Sequence, residues 1–206
     1  MRNSYFKRFL ILLTLAIAGY MFGIAAPHAP GHLHEAQAAK PAEDDNGTPP
    51  APDFTLANVM GGGQTTLSSL KGKWVFINFW ATWCNPCVYE MPMMNTLYNK
   101  MKKDGMMMLA VSVDEGPVAP VKQFAVKYKL DFTILHDPDN GVMRRYGVKS
   151  IPRTYVVDPD GNIQAAAEGL RDWDTPEMVQ FFRDLMDDYD KKKKESRQGK
   201  PKKDAA

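Results

Sequence analysis

Trp74-Val75-Phe76-Ile77-Asn78-Phe79-Trp80-Ala81-Thr82-Trp83-Cys84-Asn85-Pro86-Cys87 is the stretch that decides how this chain folds. Its first seven residues are an apolar run of strand length, broken only by Asn78. Beyond it, Met91, Met94, Leu97, Tyr98 and Met101 recur at the spacing of one helix face. Cys84 and Cys87 are the only cysteines, and they stand where a strand ends and a helix begins. Pro86 suits the first helical turn, because its missing N–H would have no intrahelical partner there.

That placement has a chemical consequence. A helix start presents unpaired backbone N–H groups and the positive end of the helix dipole. A thiolate is stabilised there, so its pKa falls below the value of about 8.5 for a free cysteine. Cys84 is expected to face solvent and act as the nucleophile. Cys87, one turn on, is placed to attack the mixed disulfide that results. A purely structural bridge is a poorer reading, because so short a loop removes little chain entropy. A zinc site needs about four ligands, and there is no second cysteine pair. Of His28, His32, His34 and His136, the first three precede the folded domain. Neither a metal nor a cofactor is expected.

Phe79–Cys87 resembles the active-site segment of thioredoxin-fold proteins, above all the extracytoplasmic TlpA/ResA-like branch. The resemblance runs from about Ala51 to about Tyr189. It implies an α/β fold of the thioredoxin type: a central mixed β-sheet with helices on both faces, an N-terminal β-hairpin and a central insertion between Val113 and Ser150. Gly147 to Asp158 is similar to the family segment in which the bond before the proline is cis and faces the cysteines. That implies a cis Ile151–Pro152 bond, with Trp83, Ile151, Pro152 and Arg153 on the substrate-binding surface. A cis proline frees the preceding backbone to pair with an extended substrate strand. Arg153 lies at the edge of the groove, either selecting acidic or carbonyl-rich substrates or simply exposed.

Asn78 stands where thioredoxins commonly carry a buried aspartate that takes up a proton, and Asn78 cannot ionise. The nearest carboxylate is Glu90, three residues after Cys87 and about one turn along the helix. TlpA/ResA-like chains often have a glutamate there. Glu90 is expected to move a proton to or from Cys87, its pKa raised by partial desolvation. The alternative is a solvated charge in the first helical turn. Pro92, five residues after Cys87, is expected to kink the helix rather than end it.

The family resemblance implies a thiol–disulfide oxidoreductase that reduces specific protein disulfides, those of apocytochrome c or of metal-centre assembly factors. A membrane thiol transporter would supply its electrons. Two other readings stay open. One is a metallochaperone using Cys84, Cys87 and a distant histidine. The other is a redoxin-type peroxidase, for which Thr82 is present but no proline lies just before it. Oxidation rather than reduction of clients is also open, since Asn85-Pro86 does not fix the direction.

Outside this centre the chain changes character. Arg2, Lys7 and Arg8 precede an uncharged run from Phe9 to Ala26, which reads as a signal peptide or membrane anchor. Its 18 residues sit between a signal core of about 7–15 and a membrane span of about 17–25. Residues 27–50, rich in Ala, Pro, His and acidic side chains, read as a flexible linker. The domain is expected over 51–190 and a basic disordered tail over 191–206. The whole chain carries +2. Removing +6 for the tail and +3 for residues 1–8 leaves −7 for residues 9–190. An extracytoplasmic, acidic domain argues against nucleic acid as a partner. The tail could instead be drawn to anionic lipid.

Within the domain, residues 51–56 and 64–67 read as a hairpin around Gly61-Gly62-Gly63. Met106–Val113 reads as a buried central strand. A helix with Pro117 and Pro120 near its start follows, then a strand at 132–135 and a short helix carrying Val142, Met143 and Tyr146. Asp158-Pro159-Asp160-Gly161 turns one strand, 154–157, into another, 163–167. Thr175-Pro176-Glu177 opens a last helix with Met178, Phe182, Leu185, Met186 and Tyr189 buried. The many methionines near the cysteine pair read as core filling rather than a copper site. His136 reads as a loop residue.

Overall fold

The computed structural model describes residues 48–198. The apolar run becomes strand β3 (Trp74–Trp80), every residue of it buried. It pairs in parallel with β4 (Met106–Ser112) and antiparallel with β6 (Arg153–Val157). A strand flanked on both edges and covered on both faces has no solvent side, so its sequence shows no alternation. Beyond β4 lies β5 (Thr133–His136), again parallel. The hairpin of β1 (Thr55–Asn58) and β2 (Gln64–Thr66) joins the sheet through an antiparallel β1–β5 pairing. β7 (Ile163–Glu168) closes the other edge against β6. The seven strands thus form one mixed sheet in the order β2-β1-β5-β4-β3-β6-β7. Gly61, Gly62 and Gly63 all have φ near +90°. The glycine run turns β1 into β2 with a backbone that side chains would strain.

Helix α1 (Asn85–Met101) carries Met91, Met94, Leu97 and Met101 with no exposed surface. Pro92 sits inside α1 and does not end it. α2 (Ala119–Lys127), the short α3 (Gly141–Arg145) and the long α4 (Pro176–Gln198) follow in order. Alternate residues of β3 address the two layers. Trp74 meets Tyr189 and Phe76 meets Phe182, both from α4, while Asn78 meets Glu90 of α1. Phe79 turns the other way, toward Tyr146 just after α3. Helices therefore cover both faces. Met106 and Met108 are buried in the same core as the α1 methionines.

Three boundaries differ from those read in the sequence. Pro50 bridges to Asn162, and the Ile163 N–H donates to the Pro49 carbonyl, so the last linker residues belong to the fold. α4 runs eight residues past 190, through Lys191 to Gln198. Asp187, Asp188 and Asp190 stand four residues before Lys191, Lys192 and Lys194, a helix-stabilising order of charges. Lys193 also ties this turn to Asp160 and to the Tyr189 hydroxyl. What reads as a solvated tail by composition continues as helix to Gln198, tied back to the fold through Lys193. His136 is the last residue of β5, not a loop residue, and its Nε2 lies 2.8 Å from the Asp114 carbonyl. The 1–26 segment, most of the 27–50 linker with its three histidines, and residues 199–206 lie outside the described residues. No helix among the described residues is long and apolar enough to cross a membrane.

Candidate active site

The site is built on the turn between β3 and α1. The Cys84 N–H donates to the Ala81 carbonyl at 3.2 Å, closing that turn. Asp114, just past β4, clamps it from the side. Its carboxylate accepts the Thr82 N–H at 3.0 Å, the Thr82 hydroxyl at 2.5 Å and the Ser112 hydroxyl at 2.7 Å. Thr82 is thereby committed to a structural contact. Cys84 is the N-cap of α1, with extended backbone, and its Sγ accepts the Cys87 N–H at 3.3 Å. Pro86 lies in the first turn. Cys84 and Cys87 are joined by a disulfide.

Cys84 was expected to face solvent. It is only 6% exposed, and Cys87 is fully buried. The exposed member of the motif is Trp83, at 67%. The reason is the segment opposite: the Cys84 sulfur lies 3.9 Å from the Ile151 carbonyl oxygen. The Ile151–Pro152 peptide bond is cis. Arg153 is half-buried rather than free at the groove edge. It pairs with Glu168 at 2.9 Å and lies over the Tyr155 ring. An ion pair this exposed contributes little to stability.

Beside the disulfide runs a groove of about 780 Å³. Trp83 and Ile151 form its cysteine side. Asp114, Glu115, Asn140 and Lys149 line it from the insertion. Sequence reasoning missed these four, since they come from three separate loops far apart in the chain.

Behind the disulfide is a second, buried arrangement. Glu90 has no exposed surface, so it is not a solvated helix charge. One carboxylate oxygen accepts from Asn78 Nδ2 at 3.0 Å and the other from Trp173 Nε1 at 3.0 Å. Asn78 Nδ2 also donates to the Thr154 hydroxyl at 3.0 Å. The Asn78 carbonyl oxygen is buried and has no hydrogen-bond partner among the described residues. Burial pushes the Glu90 carboxyl above the ordinary carboxylate range. The Trp173 and Asn78 hydrogen bonds, and the nearby Arg171, pull it back only in part. Trp173 was not read as a site residue. Its only sequence signal is a lone tryptophan in the polar stretch Arg171–Asp174. Among the described residues there is no group of three or more His, Cys, Asp or Glu that could hold a metal.

Comparison with known proteins agrees with this geometry. The family model described as AhpC/TSA matches residues 48–166. The thiol-disulfide oxidoreductase ResA of Geobacillus kaustophilus is 43% identical over 119 residues, spanning 58% of this chain and 67% of that protein. ResA of Oceanobacillus iheyensis is 36% identical over 175 residues, spanning 82% of this chain and 83% of that one. Among solved structures, a Chlorobium tepidum protein proposed to be the thiol:disulfide interchange protein DsbE superposes with a TM-score of 0.62. It is 31% identical and covers 68% of this chain and 96% of its own.

Proposed function

The chain belongs to the AhpC/TSA family, as a thioredoxin-fold thiol–disulfide oxidoreductase of the ResA-like group, and from that premise we propose that it reduces specific protein disulfides outside the cytoplasm. The observation that carries this is the Cys84–Cys87 pair at the start of α1, with the Cys84 sulfur against the Ile151 carbonyl at the end of an open groove. A client strand laid along the groove would pair with the Ile151 backbone and bring its own disulfide to Cys84. The Cys84 thiolate attacks one client sulfur, and the other leaves as a thiolate. Cys87 then attacks Cys84, which releases the first client sulfur. Two electrons pass to the client, and the Cys84–Cys87 disulfide remains.

Cys87 must lose its proton before it can attack. Glu90 lies one turn further along α1 and is the carboxylate we assign to take it. Burial raises its pKa above the ordinary carboxylate range, the direction that a proton acceptor for a thiol calls for. In its ionised form it accepts from Asn78 and Trp173. Once protonated, the oxygen that carries the proton must donate, while the other still accepts; the Asn78 carbonyl, without a partner among the described residues, can turn to receive that proton. An aspartate at position 78 would compete for it.

The clients we favour are apocytochrome c thiols or metal-centre assembly factors, with a membrane thiol transporter as electron source. The location rests on the basic start and the uncharged run 9–26. The deciding experiment is the equilibrium reduction potential of the full chain in thiol buffers. A value at or below about −270 mV is expected for a dedicated reductant. A value near about −120 mV would mark a disulfide donor and remove the reductive role. Glu90→Gln is expected to lower the Cys87 pKa by about one pH unit, because a buried negative charge no longer opposes the thiolate. It should also slow release of trapped client near pH 7. Thiol titrations and release rates identical to the parent chain would end the assignment of Glu90.

A further inference from the structure

The segment after β7 makes three contacts that its sequence gives no reason to expect. The Gly169 N–H donates to the Pro152 carbonyl at 2.9 Å, tying the segment to the loop that faces Cys84. Lys100, near the end of α1, donates to the Asp174 carbonyl at 2.9 Å. Between these two anchors Trp173 turns inward. It is 3% exposed, its ring stands edge-on to Phe76 at 5.1 Å, and its N–H meets the Glu90 carboxylate. A buried indole N–H needs an acceptor, and here a carboxylate supplies it.

We propose that Trp173, assisted by Arg171, is the positioning residue for Glu90, holding its carboxylate in one orientation as a hydrogen-bonded anion. Asn78 alone would leave one carboxylate oxygen without a side-chain donor. Trp173 fills that place with a group that cannot ionise and cannot accept. Asn78, Thr154 and Trp173 are neutral, so Arg171 is the charged group that bears on Glu90, and Cys87 shares its helix. The geometry favours the anion, while burial favours the neutral acid, and the balance sets the pH at which Glu90 accepts a proton. The consequence for Cys87 rests on the proton role proposed above; the placement of the carboxylate does not.

The test is the titration midpoint of the Glu90 carboxyl, followed by carbon NMR of the full chain with labelled glutamate. Trp173→Phe keeps the ring against Phe76 and removes only the donor. The midpoint is expected to rise by about one pH unit, the size of one hydrogen bond to a charged group. Arg171→Gln, at an exposed position, should raise it by less and leaves the core intact should the Phe variant fold poorly. A tryptophan that merely packs would lower the melting temperature and leave the midpoint in place. A midpoint unmoved in both variants overturns the proposal. A raised midpoint supports it, and if the Cys87 titration stays put in the same variants, it is the proton role of Glu90 that falls.

Discussion

Cys87→Ser is expected to cut turnover by at least about a thousandfold and to leave the chain covalently joined to its client. The reasoning is positional. Cys84 caps α1 and receives the Cys87 N–H, so its thiolate is the one stabilised by the helix start. Cys87 is fully buried one turn further in, where no client sulfur can reach it. In the proposed cycle attack therefore begins at Cys84, and Cys87 resolves the adduct. Removing Cys87 stops the cycle at the mixed disulfide. Non-reducing electrophoresis of the variant, recovered from cells, should show adducts that collapse with dithiothreitol. Cys84→Ser should show neither adducts nor turnover. Adducts on Cys84→Ser and none on Cys87→Ser would reverse the two roles. Undiminished turnover in both variants would remove the dithiol cycle altogether.

The parts legible in the sequence are those written in consecutive residues. The run Trp74–Trp80, the motif after it and the methionine stripe of α1 share one short stretch. Their local periods agree with the tertiary placement, so strand, turn and helix appear as expected. Glu90 was legible because a fixed offset from Cys87 on a helix settles its position. Its burial was not, because that depends on Trp173, 83 residues away. The exposure of Cys84 was misjudged for the same reason. A helix start is open in isolation, and here the Ile151–Pro152 loop covers it. The end of α4 was not legible because composition sees lysines, whereas the last turns are tied to Asp160 on a distant turn through Lys193. The groove was invisible because its insertion side is assembled from three loops.

Phe76→Ala is expected to cost about 3–5 kcal/mol of stability, a large share of the roughly 5–15 kcal/mol that holds a typical domain. Phe76 lies in the middle of β3, has no exposed surface and sits against both Phe182 and Trp173. Urea unfolding should show the transition midpoint falling with its slope unchanged. A loss under about 1 kcal/mol would mean the site collapses without leaving a cavity, and that the ring contacts described for Phe76 matter little. The substitution also separates two ideas of how the site is kept in order. If β3 acts only as a scaffold, the folded fraction of Phe76→Ala should titrate at Glu90 as the parent chain does. If the core and the chemistry share residues, loss of the Phe76 ring frees Trp173, and the Glu90 midpoint rises with it. The hydrogen bond from Trp173 to Glu90 depends on an indole held in place from behind, and Phe76 is one of the side chains that holds it. A packing residue on the central strand would thus set the pH range of proton transfer at Cys87 without touching a sulfur.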